Sequence, residues 1–254
     1  MSATKVYLVT GANRGIGLGL VHELATRHKD VVVYAGVRDT ANASSLQELS
    51  TKFPGKIEIV PFVAGDEAIN QALAKTIQDR HGYLDVVIGN AGTIEYMGNA
   101  DETPIDIFRK HLEVNTTGVL VLFQALASLL KASKSTPKFI PISSGAGSLT
   151  ALIHAPLGFT AYGASKAAMN FLTRKIHYEN EWLVAFPLAP GLVNTDMGSK
   201  VRVMDKTGIM ANLQDEMMMS VEEASVALVN LVDNSTREKQ GGEFLKVDGE
   251  TVPW

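Results

Sequence analysis

Apolar runs of strand length alternate with helical stretches along nearly all of these 254 residues. The strand candidates are Val6–Val9, Val31–Ala35, Ile57–Val63, Val86–Ile88, Phe139–Ile142, Leu183–Leu188 and Phe244–Val247. Several are continuous rather than alternating, the pattern of strands covered on both faces of a parallel sheet. Helical patterns fill the gaps at Leu18–Arg27, Ala68–His81, Pro104–Lys131, Tyr162–Asn180 and Ser220–Leu231. Strand and helix alternating this often predict an α/β fold, a doubly wound and mostly parallel seven-stranded sheet of Rossmann type with helices on both faces. No linker or repeat divides the chain, so residues 1–254 read as one domain. Residues 196–219 break the pattern. They are Met-rich (Met197, Met204, Met210, Met217, Met218, Met219), hang off Pro190-Gly191 and read as an irregular, mobile lid beyond the sheet.

Composition narrows the chemistry. The net charge of -4 lacks the basic excess of a general nucleic-acid or acidic-membrane binder. The absence of cysteine removes thiol chemistry and cysteine-held metals, and no metal site is expected. No uninterrupted apolar run reaches the length of a membrane span, and a cytoplasmic enzyme is the expectation.

The first strand turns through Thr10-Gly11-Ala12-Asn13-Arg14-Gly15-Ile16-Gly17 into the first helix. Glycines there let the chain turn tightly and let backbone N–H groups and a helix N-terminus approach a pyrophosphate. The spacing G-x-x-x-G-x-G differs from the usual dinucleotide fingerprint, so its position after strand one carries the reading. At the end of strand two the chain reads Gly36-Val37-Arg38-Asp39. Arg14 and Arg38 together suit the 2′-phosphate of NADP. The alternative is that Arg38 pairs with Asp39 and that Asp39 is the acid for an NAD ribose.

Further motifs complete a set: Asn90-Ala91-Gly92, Asn115, Ser143-Ser144, Tyr162-x-x-x-Lys166 and Pro190-Gly191-Leu192-Val193-Asn194-Thr195. In this order and spacing, over nearly the whole chain, the sequence resembles the short-chain dehydrogenase/reductases. Within them it looks most like the carbonyl-reductase-like enzymes that reduce ketones with NADPH. The resemblance implies a catalytic tetrad of Asn115, Ser144, Tyr162 and Lys166. Tyr162 would protonate the carbonyl oxygen as hydride reaches the carbon. Lys166, one helical turn on, would lower the phenol's pKa and bind the nicotinamide ribose. Ser144 would hold the substrate oxygen, although Ser143 and Ser148 also compete for that part. Asn115 would anchor a water that relays protons to Lys166. Cofactor contacts are implied for Gly11, Asn13, Arg14, Gly15, Ile16, Gly17, Arg38, Asn90, Ala91, Gly92, Tyr162, Lys166, Pro190, Val193 and Thr195.

Two departures stand out. Where the family commonly has an adenine-contacting Asp, this chain has Val63, with Asp66 three residues later. Gly89 replaces the first Asn of Asn-Asn-Ala-Gly and is expected to loosen strand packing. The interval from Ser144 to Tyr162 is long for the family and suggests an inserted loop at the substrate mouth, with His154 an incidental member. The variable segments 93–99, 145–160 and 196–219 supply Ile94, Tyr96, Met97, Leu149, Leu152, Ile153 and Leu157, with Glu95 as a possible polar handle. An apolar, aromatic or bulky carbonyl substrate is expected, on a homodimer or homotetramer assembled through the Pro104–Lys131 and Tyr162–Asn180 helices. The rival readings are an NAD-dependent alcohol dehydrogenase on the same scaffold and a non-catalytic dinucleotide sensor.

Overall fold

The computed structural model describes residues 4–254. Strands β1 (Lys5–Thr10), β2 (Val31–Val37), β3 (Ile57–Pro61), β4 (Val86–Gly89), β5 (Lys138–Pro141) and β6 (Val184–Ala185) form a parallel sheet in the order β3-β2-β1-β4-β5-β6. This is the doubly wound Rossmann arrangement, with the order reversing between β1 and β4. Successive residues of β1 point to opposite layers. Tyr7 and Val9 pack with α1 (Gly15–Arg27), α2 (Ser44–Lys52) and α9 (Val221–Asn234). Val6 and Leu8 pack with α3 (Glu67–Arg80), α5 (Gly118–Lys131) and α6 (Thr160–Glu179). Burial on both faces is why these strands read as continuous apolar runs.

Three elements depart from the sequence expectation. The run Leu183–Leu188 is not one strand, because Phe186-Pro187 separates β6 from β7 (Leu188–Ala189). Pro187 has no N–H to give a ladder, and its carbonyl instead accepts from Leu245. β7 then pairs in parallel with β8 (Leu245–Lys246), so the expected seventh strand joins a separate two-stranded ribbon beside the six-stranded sheet. The stretch expected as one helix over Pro104–Lys131 is two, α4 (Ile105–Leu112) and α5, joined by a π turn at Glu113–Thr117. By length and composition the whole stretch Ile105–Lys131 could cross a membrane. Here Leu122, Leu126, Leu129 and Leu130 of α5 lie buried in the core instead. Gly89, expected to loosen the sheet, pairs with Pro141 of β5, and a Cβ there would meet the Pro141 backbone at 3.4 Å, an ordinary contact distance.

The segment after Pro190-Gly191 is more ordered than its pattern suggested. It forms α7 (Asp196–Met204) and α8 (Ile209–Met217), each nine residues long, joined by a turn around Asp205 and Thr207. Gly191 has φ +79°, a left-handed conformation suited to glycine. The segment's two ends are tied together. Met219 donates its N–H to the Leu192 carbonyl at 2.9 Å, and Asn194 donates to the Met219 carbonyl at 2.9 Å. Thr195 caps α7 by accepting from the Gly198 N–H, and Ser220 with Glu223 forms a capping box at α9.

Candidate active site

The glycine turn lies at the carboxyl end of β1, where the strand order reverses. Gly11 and Gly15 have φ of +64° and +53°. A Cβ on Gly17 would sit 2.2 Å from the Gly11 carbonyl oxygen, so only glycine permits this approach of helix to turn. Asn90, just past β4, donates through its side-chain amide to the carbonyls of Thr10 and Gly11 at 3.0 and 3.2 Å. The Ala91 N–H donates to the Thr10 hydroxyl at 3.0 Å. Asn90 therefore supports the cradle with its side chain. Two left-handed glycines, a third with no room for a Cβ and the start of α1 make a turn of the kind that would suit a pyrophosphate.

Around the cradle, Asn13 and Arg14 are exposed, Gly15 and Ile16 are half-buried, and Gly17 is buried. Thr195 faces the turn, its Cγ2 being 3.2 Å from where a Gly15 Cβ would lie. Pro190 and Val193 are buried behind it. Arg14 forms an exposed ion pair with Asp196 at 2.9 Å, linking the turn to the first residue of α7. Arg38 directly follows β2 and is exposed. Asp39 does not pair with Arg38. It accepts from the N–H groups of Ala41 and Asn42 and from the Asn42 amide, and these bonds hold its carboxyl below the usual range. Asp66 accepts from the Ile69 N–H at 2.9 Å as the cap of α3, and the Val63 carbonyl accepts from Asn70.

Tyr162 and Lys166 occupy one face of α6, and the Lys166 Nζ lies 5.8 Å from the phenol ring centre. The three serines separate cleanly. Ser144 accepts from the Ala146 N–H and lies beside Tyr162, where its hydroxyl favours the ionised phenol. Ser143 is buried and donates to Asn170 at 2.6 Å. Ser148 is buried and donates to the Pro253 carbonyl at 2.5 Å. Burial pushes the Tyr162 phenol up to about 12, with Ser144 opposing the rise. Lys166 donates to the Ile142 carbonyl at 2.7 Å, and burial brings its ammonium down to about 8. Desolvation dominates the phenol, and the expected depression by Lys166 does not figure among the influences on it.

Asn115 sits in the π turn. The Gly118 N–H reaches back to the Glu113 carbonyl there, which widens the helix. Its Nδ2 donates to the Thr93 carbonyl and the Ser165 hydroxyl at 3.0 and 2.9 Å, and its Oδ1 accepts from the Thr93 N–H at 2.8 Å. Its side chain thus joins the 93–95 segment to α6. Gly92 completes the junction, since a Cβ there would be 3.3 Å from Asn115 Oδ1 and 3.6 Å from Lys166 Nζ. Ala91 precedes it, half-buried.

Over Tyr162 lies an apolar cluster. Ile94, Met97, Val201 and Met210 are buried with it, and Leu157, Phe159, Leu192, Met204 and Leu213 pack alongside. Leu149, Leu152 and Ile153 are exposed on the 145–160 loop. Glu95 is no free handle, because it pairs with Lys110 at 2.9 Å and accepts from Thr93, which lowers its pKa. His154 is an exposed loop residue, and Tyr96 donates to the Glu102 carbonyl. The sequence reading missed His111, Ser165 and Asn170. Each is a polar residue placed at helical spacing from a motif residue, a signal visible only once the helices are drawn.

A Rossmann sheet with a glycine cradle at its switch point and a buried Tyr–Lys–Ser cluster beside it defines the site of a dinucleotide-dependent oxidoreductase. Residues 5–206 match the short chain dehydrogenase family. A norsolorinic acid ketoreductase of Aspergillus parasiticus is 36% identical over 98% of this chain and 91% of that protein. That of Dothistroma septosporum is 36% identical over 100% of this chain and 94% of its own length. The crystal structure of an NADPH-bound carbonyl reductase from chicken fatty liver superposes with a TM-score of 0.86 at 32% identity, covering 100% of both chains. The chain belongs to the short-chain dehydrogenase family.

Proposed function

We propose that the chain is an NADPH-dependent ketoreductase acting on an apolar, aromatic or bulky ketone. The observation that carries this reading is the buried Tyr162, beside Ser144, one turn from Lys166 and roofed by an apolar cluster. The relatives named as ketoreductases of norsolorinic acid support the reaction class, and the NADPH-bound carbonyl reductase supports the cofactor. Gly11, Asn13, Gly15, Ile16 and Gly17 would hold the pyrophosphate, and Ala91, Gly92, Pro190, Val193 and Thr195 the nicotinamide end. Arg14 and Arg38 would hold the 2′-phosphate, a part supported by the engagement of Asp39 in its own turn. When bound, the dinucleotide supplies the hydride.

The chain's own residues supply the proton and the surroundings. Tyr162 stays protonated at neutral pH and donates its phenolic proton to the carbonyl oxygen, while Ser144 donates a hydrogen bond to that oxygen. Lys166, charged below its pKa, stabilises the resulting phenolate and holds the ribose. Asn115 positions the 93–95 segment against Lys166 and is assigned a supporting part on that ground. Residues 196–219 act as a lid, and Val201 and Met210 form the part that excludes water from Tyr162. Assembly is assigned to the faces of α4–α5 and α6, where Ile105, Phe171 and Tyr178 are 63%, 69% and 58% exposed.

Tyr162→Phe should lower kcat/KM for ketone reduction by about 100-fold or more, the scale of general acid catalysis, and leave NADPH affinity intact. In the parent, kcat/KM should hold on the acid side and fall as pH rises through about 8, where Lys166 loses its charge. Near-parental turnover of the variant, or a profile flat through that range, would remove the assigned roles. Arg38→Asp should weaken NADPH binding by about 1.5–3 kcal/mol, the scale of a charge-assisted bond, with NADH little changed. Equal losses for both cofactors would make Arg38 structural. Hydrogen exchange over residues 196–219 should slow with NADPH and slow further with a substrate analogue. Protection already equal to that of β1 and β4 would make the segment fixed packing. Sedimentation at micromolar concentration should give a dimer or tetramer, and a clean monomer would refute the assembly.

A further inference from the structure

His111 is fully buried in α4, one helical turn before Asn115 on the same face, and takes no part in the chemistry above. Its Nδ1 lies 2.8 Å from the Ile107 carbonyl, which can only accept, so Nδ1 carries the proton. Nε2 is left with a lone pair, and it accepts from the Glu95 backbone N–H at 3.2 Å. The ring also stands edge-on to Tyr162, with centres 6.4 Å apart. One turn on, Asn115 holds both the N–H and the carbonyl of Thr93. Two side chains four residues apart thus grip alternate residues of one segment. That segment begins at Gly92, against Lys166 Nζ, and carries Ile94 into the cluster over Tyr162.

We propose that His111 is a positioning residue of this site, a neutral Nδ1-protonated imidazole that clamps Glu95 and thereby fixes the 92–95 wall against Tyr162 and Lys166. The proposal rests on the ketoreductase reading for its catalytic consequence but not for its geometry. Nothing else among the described residues accepts from the Glu95 N–H. The Lys110–Glu95 ion pair outside the clamp holds only the side chain and is over half exposed at the lysine. Small displacements of a wall against the reacting groups reduce turnover more than binding, because only the transition state demands the full alignment.

Two substitutions separate the two ring nitrogens. Gln at 111 places an acceptor near the position of Nε2, whereas Asn reaches only the position of Nδ1. His111→Asn should speed amide exchange at residues 93–97 and lower kcat by about tenfold or more, with the KM for NADPH unchanged. His111→Gln should restore both to within a few-fold of the parent. Equal behaviour of the two variants in exchange and kcat, or a parental His111→Asn, would overturn the clamp. A parent that reduces no carbonyl compound would refute the proposed function alone, and the exchange comparison would still decide the clamp. Should His111→Asn fail to fold, the imidazole 15N shifts of the parent decide it. A neutral ring protonated at Nδ1 supports the clamp, and protonation at Nε2 overturns it.

Discussion

The side-chain amide of Asn90 bonds the last carbonyls of the first strand and its turn, and much of the site depends on that contact. β1 and β4 are neighbours at the point where the strand order reverses, so their ends open a crevice rather than continuing the sheet. In a crevice the chain leaves backbone carbonyls without ladder partners, and an unpaired buried carbonyl is costly. Asn90 satisfies two of them, and the Thr10 hydroxyl accepts the next N–H, from Ala91. The glycine turn after β1 and the chain leaving β4 are thereby tied into one piece. Gly17 is forced by the same contact, since a Cβ there would also lie 2.6 Å from the Asn90 amide.

A second junction stands on the other side of the crevice. The π turn at Glu113–Thr117 inserts extra width into what would be a single helix and turns Asn115 toward the 93–95 segment and Ser165. Ser165 in turn donates to the Tyr162 carbonyl, and Thr116 donates to the Ser165 carbonyl. Through these bonds β4, the α4–α5 pair and the first turns of α6 share one polar network inside an apolar layer. Such networks hold geometry well when every member is satisfied, as they are here. The Tyr162–Lys166 pair on α6 therefore takes its position in part from the bonds of Asn115, Thr116 and Ser165.

Much of this architecture was legible in the chain. Strands buried on both faces announce themselves as unbroken apolar runs, so β1, β2 and β4 were found within a residue or two. The Tyr162–Lys166 spacing and the glycine turn carry their geometry in one short stretch, and the structure brings Ser144 to Tyr162 as expected. What escaped depends on contacts between distant segments. Pro187 divides a run whose apolar character alone looks continuous. The π turn has no local marker, because Glu113–Thr117 continues the helical pattern on both sides. α2 is short and mostly polar, and α7 and α8 are nine-residue helices with Gly198 in the first turn of one and Gly208 at the start of the other. The raised Tyr162 pKa reflects enclosure by α7, α8 and the 93–97 segment, which no spacing along α6 reveals.

The tie between Leu192, Asn194 and Met219 bears on how this site can change. Two backbone bonds close the excursion at its neck, so the body of the domain meets the same paired ends whatever lies between them. For a flexible loop, doubling the closed length adds only about 0.6 kcal/mol of closure entropy. Exposed positions between 195 and 218, such as Val203 and Met217, can therefore change at little cost to the sheet below, whereas Val201 and Met210 are held by the cluster over Tyr162. Residues at the neck are constrained by the two backbone bonds that close it. Change at those exposed positions has, in this chain, a closed-off place to accumulate.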